Sequence, residues 1–183
     1  MSEDLTKYVY EKMLEEARSY QWRMIYDSHK QALEIYFVVS LETENAKHVQ
    51  DINGQVNRTE LLQFEEVVCF YNQKENKIIP KNYLYAVPFD PKIGIEKGTV
   101  DAYLKQQHIL ISGIRSQLRE FLLDERQKEF SLEWNEVYVA NTIQTMINTN
   151  RYETERLFFT SEEEEESLVD QFKEDQHDGL ERI

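Results

Sequence analysis

The stretch Val49-Gln50-Asp51-Ile52-Asn53-Gly54-Gln55-Val56-Asn57-Arg58-Thr59-Glu60 comes nearest to a cation site in this sequence. A hard cation wants a ring of oxygens. On a calcium-binding EF-hand loop Asp51, Asn53, Gly54, Val56, Asn57 and Glu60 fall at favourable positions. Val49, however, stands where the first carboxylate ligand belongs. The flanks read as strand or loop, whereas an EF-hand needs helices. Asn53-Gly54 reads instead as a hairpin tip, because Asn-Gly reaches the positive φ values of a type I′ turn.

The other reactive side chains are scattered. His29, His48, His108 and His177 lie far apart, with no repeating zinc-site spacing and no HExxH. His108 sits beside an apolar helical stripe and reads as a boundary histidine. Cys69 lies mid-strand between Val68 and Phe70, where a thiol behaves as a small apolar group. A nucleophilic thiol would need a neighbouring base and a site that stabilises the thiolate. Ser112 and Ser116 lie in no Gly-x-Ser-x-Gly elbow. Five glycines leave little room for a phosphate-binding or dinucleotide loop. No cofactor and no metal is expected, and no catalytic residue is assigned.

Two weaker signals remain. Glu65, Glu66 and Glu133 could be the polar members of a pocket between a long helix and a sheet, near Pro88–Gly94. Paired carboxylates do acid–base work when burial separates their pKa values. The chain also carries 11 Tyr, 9 Phe and 2 Trp, more than one small core needs. Tyr36, Tyr71, Tyr83 and Tyr85 are the candidate partner-binding residues, placed by their strand positions on the outer face of the sheet. Tyrosine suits binding surfaces because it offers contact area with a polar tip. A solvated face with isolated exposed aromatics is the competing reading.

The elements that must position these residues follow from periodicity. Leu5, Tyr8, Val9, Met13, Leu14, Ala17 and Tyr20 recur at helical spacing, with Asp4 placed to cap. Trp22, Met24 and Tyr26 then alternate, as do Leu33, Ile35, Phe37, Val39 and Leu41 after a polar turn. A third strand carries Phe64, Glu66, Val68 and Phe70 on one face and Glu65, Val67, Cys69 and Tyr71 on the other. Tyr83–Val87 reads as a fourth strand ended by Pro88. Pro88-Phe89-Asp90-Pro91-Lys92-Ile93-Gly94 is the clearest break.

A helix from about Gly98 to Asp124 follows, striped by Val100, Leu104, Gln107, Ile111, Ile114, Leu118 and Phe121. That stripe fits a helix lying across the sheet; a seam between two copies is the alternative. Phe130, Leu132 and Trp134 alternate as a short last strand. Asn135 caps a final helix bearing Val139, Ile143, Met146 and Ile147.

The order Phe64-Glu65-Glu66-Val67-Val68-Cys69-Phe70-Tyr71-Asn72, then Tyr83–Gly94, then Phe130-Ser131-Leu132-Glu133-Trp134-Asn135-Glu136 resembles an uncharacterised Gram-positive bacterial family, domain-of-unknown-function family 3013. The resemblance covers most of residues 5–158. The proline-glycine linker and the Trp-Asn-Glu step are its more specific pieces. It brings no assigned activity; it implies one α+β domain in a bacterial cytoplasm.

Composition sets the outer limits. At 183 residues, 40% of them apolar, the chain can bury a core without staples, and its single cysteine excludes an internal disulfide framework. A net charge of −14 repels phosphate backbones, so no nucleic-acid partner is expected. No apolar run approaches a membrane span, and the acidic start is unlike a secretory signal, so the expected location is cytoplasmic. From Thr160 onward ten acidic residues meet two basic ones, which reads as a partly disordered tail with one short docking turn at Leu168, Val169 and Phe172.

The sequence thus predicts one α+β domain over residues 1–159 and an acidic tail over 160–183. The expected architecture is a mainly antiparallel sheet of about five strands, covered by an N-terminal helix, the long central helix and a C-terminal helix. The expected role is a non-enzymatic protein-interaction or adaptor domain biased toward basic partner surfaces, with homodimerisation through the Val100–Phe121 stripe also open. An enzyme or small-ligand binder with an unfamiliar pocket is the alternative.

Overall fold

A computed structural model describes residues 3–47 and 49–159. His48, His177, the acidic tail and its expected docking turn therefore lie outside the described residues. The chain runs β1 (Glu3–Asp4), α1 (Leu5–Glu16), β2 (Gln21–Asp27), β3 (Ala32–Glu42), β4 (Leu61–Asn72), β5 (Ala86–Phe89), β6 (Ile95–Glu96), α2 (Lys97–Leu123), α3 (Glu136–Asn148) and β7 (Arg156–Phe158). No helix among the described residues is long and apolar enough to cross a membrane.

The class is α+β, but the strands form two sheets rather than one of about five. The larger has the order β2-β3-β4-β5 and the smaller β1-β7-β6. In the larger sheet β2 and β3 pair antiparallel from Gln21↔Val38 to Asp27↔Ala32, and β3 and β4 from Ala32↔Tyr71 to Glu42↔Leu61. Alternation along these strands sorts the side chains. Leu33, Ile35, Phe37, Val39 and Leu41 of β3 turn inward with Val68 and Phe70 of β4 and are buried. Against them lies the α2 stripe, with Val100, Leu104, Gln107, Ile111, Ile114 and Leu118 all buried. The stripe is therefore spent on this chain's own core and offers no seam to a second copy. At roughly 1.5–3 kcal/mol per fully buried large apolar side chain, this layer dominates the folding energy.

Three other expectations are corrected. The fourth strand is not ended by Pro88 but runs through it, and β5 lies parallel to β4. Proline fits because β5 is an edge strand, so its missing N–H breaks no ladder. Phe130, Leu132 and Trp134 form no strand; they are anchors from an irregular segment, each packed on the core. Phe130 meets Phe64 edge-on at 5.3 Å, and Trp134 lies 4.3 Å from the Tyr85 ring. Finally, α3 docks on α2 rather than over the sheet, with Gln106 donating to Thr142 at 2.7 Å and Tyr103 to Glu136 at 2.8 Å. Its expected cap is in place, the Asn135 side chain accepting from Val137 N–H.

The small sheet escaped the sequence because strands of two or three residues carry no period. It is tied to the start of α2 by charge. The Lys97 ammonium, nearly buried, pairs with Glu3 and with Glu155 at 2.7 Å. Gly94 makes the turn into β6 at φ +78°, where a Cβ would stand 2.7 Å from the Leu157 carbonyl oxygen.

Candidate functional site

Helices occupy one face of the four-stranded sheet. The other face carries the odd-numbered positions of β2 and β4 and the even-numbered ones of β3. Registers Ile25↔Glu34, Arg23↔Tyr36, Glu34↔Cys69 and Tyr36↔Val67 place these residues side by side. Glu34 is the hub. The residue is only 6% exposed, and its carboxylate accepts the Tyr36 hydroxyl at 2.8 Å and the Tyr83 hydroxyl at 2.5 Å. Lys30 stands 4.0 Å away. The Arg23 guanidinium lies 4.2 Å over the Tyr36 ring and 3.7 Å from Glu65.

The electrostatics follow from this packing. Burial, then the Glu34 hydrogen bond and charge, push the Tyr36 phenol up to about 12. The same causes hold Tyr83 above the ordinary phenol range. Cys69, fully buried beneath the cluster, has its thiol pushed up to about 12 by desolvation and by Glu34. A thiol so held stays protonated at neutral pH and is no nucleophile.

Of the four predicted tyrosines, Tyr36, Tyr71 and Tyr83 are half-buried on this face. Tyr71 and Tyr83 pack on a small apolar cluster of Ala32, Cys69 and Ile78. Tyr85 is not with them. It is buried in the main core, donating to the Gln107 side chain at 2.7 Å and packed among the rings of Phe70, Tyr103 and Trp134. The reason is parity. Tyr85, Val87 and Phe89 alternate inward together, while the 3-10 turn Pro80–Asn82 sets Tyr83 on the other side. Sequence reasoning missed Glu34 and Arg23. Their signal was a carboxylate two residues from a tyrosine in a strand, and an arginine at the matching position of the neighbouring strand.

The carboxylate pocket is not assembled. Glu65 and Glu66 are adjacent in β4 and so face opposite sides; Glu133 is exposed on the irregular segment before α3. Glu66 points inward, and burial raises its carboxyl. The space between α2 and the sheet is filled by the apolar stripe and the Tyr85–Gln107 pair.

The calcium-like segment closes on itself. Gly54 N–H donates to the Asp51 carbonyl at 3.0 Å, and one Asp51 carboxylate oxygen accepts Asn53 N–H and Gln55 N–H, both at 2.8 Å. Only Gly54 takes a positive φ, +77°, so the hairpin tip is a type I turn with a glycine bulge rather than type I′. No group of three or more His, Cys, Asp or Glu among the described residues could hold a metal ion.

An open depression of about 630 Å³, lined by Tyr20, Gln21, Trp22, Arg23, Tyr36 and Val38, adjoins the Arg23–Tyr36 stack. It is a shallow surface depression rather than an enclosed cavity.

A family model described as "Protein of unknown function (DUF3013)" matches residues 1–161. No curated protein matches the sequence. A crystal structure of a conserved protein of unknown function from Enterococcus faecalis is similar over 88% of this chain and 97% of its own, with a TM-score of 0.76 at 20% identity. At that identity the likeness concerns the fold.

Proposed function

Given that the chain belongs to the DUF3013 family, whose description assigns no activity, we propose that it acts through binding, as a protein-interaction domain whose partner surface is the outer face of the four-stranded sheet. The observation that carries this reading is the pre-ordered cluster on the sheet face turned away from the helices. Glu34 pins two tyrosine hydroxyls and Arg23 clamps one of the rings. Aromatic side chains already fixed in one geometry lose little entropy on binding and serve as anchors. The neighbouring depression supplies a seat beside the anchor.

Charge points to the class of partner. Asp27, Glu34, Glu42 and Glu65 share the strand faces that carry Arg23, and the whole chain stands at −14. A basic protein surface is the complement, drawn in by long-range attraction that falls with salt. The test is native mass spectrometry on gently purified protein, run beside Tyr36→Ala. A basic protein retained by the parent and lost from the folded variant is the expected result. Equal retention by the two removes this face as the site.

A further inference from the structure

The two edges of the four-stranded sheet differ. At one, β5 carries Pro88, which has no N–H to offer an incoming strand. At the other, β2 is a regular seven-residue strand, paired with β3 at every position and holding no proline and no bulge. Among the described residues no strand pairs with its far side. Such an edge is a template for another strand.

The side chains of β2 suggest which strand fits. We propose that the far edge of β2 pairs antiparallel with β2 of a second copy, about a two-fold axis at Ile25, joining two sheets into one. In that register Arg23 stands opposite Asp27 of the partner and Asp27 opposite its Arg23. Two opposite-charge cross-strand pairs then flank a central Ile25–Ile25 contact. Ile25 is 41% exposed in the single chain, an apolar side chain that this pairing covers. Centring the axis on Arg23 would oppose two guanidinium groups and is disfavoured. The contact leaves Tyr83 and Glu34 on the outer face uncovered, but it shares Arg23 and the Gln21–Arg23 rim of the depression with the partner surface proposed above.

Sedimentation equilibrium on the full chain, beside Ile25→Lys and Ile25→Cys, tests this. The parent should weigh about 44 kDa, twice the 22.0 kDa chain, and Ile25→Lys should fall to 22.0 kDa while keeping the parent's circular dichroism. Directly opposed residues of antiparallel strands have Cα atoms about 4.5–5.5 Å apart, within disulfide range. Ile25→Cys should therefore oxidise to a covalent dimer, and Cys69, fully buried, cannot substitute. A parent of 22.0 kDa up to millimolar concentration overturns the proposal, including the case in which residues 160–183 cover this edge. A dimer that survives Ile25→Lys, with no disulfide from Ile25→Cys, places the interface elsewhere and also overturns it.

Discussion

Replacing Glu34 by Gln probes the outer-face cluster at its hub. Glu34 is buried, and its carboxylate accepts two phenol hydroxyls, at 2.8 and 2.5 Å. Hydrogen bonds to a charged acceptor contribute about 1.5–3 kcal/mol each. Both rings are half-buried, so water recovers part of the loss, and removing a buried charge relieves some desolvation. The expected cost is therefore about 2–3 kcal/mol, less than two full bonds. For a chain of this size that is a fall in Tm of about 4–12 °C. Urea unfolding should show the midpoint shift at constant slope.

The phenols provide an independent readout. Burial stays in the variant while the hydrogen bond and charge of Glu34 go, so the Tyr36 titration should move down from about 12 but remain above the ordinary value of 10.0. Tyr36→Phe and Tyr83→Phe should each be less costly in the Glu34→Gln background than in the parent. A stability change below about 0.5 kcal/mol together with an unmoved Tyr36 titration would refute the pinned cluster.

Three further outcomes follow from the same packing. Because the Tyr36 phenol is raised in the folded state, its contribution is fully present below pH 10 and is lost as pH rises toward 12; urea midpoints across that window should fall more steeply for the parent than for Tyr36→Phe. Tyr85→Phe strands a buried Gln107 oxygen 2.7 Å from the lost hydroxyl and should cost about 1–3 kcal/mol in chemical denaturation. Cys69 should resist alkylation at pH 8 in the native protein and react fully in denaturant, as read by mass spectrometry, since its thiol is buried and titrates near 12.

The long elements were legible because their periods were sustained. The α2 stripe from Val100 to Leu118 and the alternation from Leu33 to Leu41 each name one buried face. What stayed hidden turned on parity and on pairing between distant residues. Tyr85 was misplaced because Tyr83–Val87 reads as one strand with Tyr83 and Tyr85 on one face, whereas the strand begins only at Ala86 and the turn Pro80–Asn82 sets Tyr83 apart. Continued through Pro88, the alternation puts Tyr85 with Val87 and Phe89 inside. Phe130, Leu132 and Trp134 mimic a strand because three core anchors on an irregular segment also space by two. Glu34 was overlooked because its meaning lies in Tyr83, forty-nine residues away, brought over by the turn at Pro80–Asn82.

The outer face as partner surface is most directly tested by site-resolved photocrosslinking in the cells that make the protein. A crosslinking residue is placed at Gln63, exposed on that face, and separately at Glu133, exposed before α3. The account predicts a basic protein captured from Gln63, not from Glu133, and lost when Tyr36→Ala is added. Capture from Glu133 alone, or capture from Gln63 that ignores Tyr36→Ala, would contradict it.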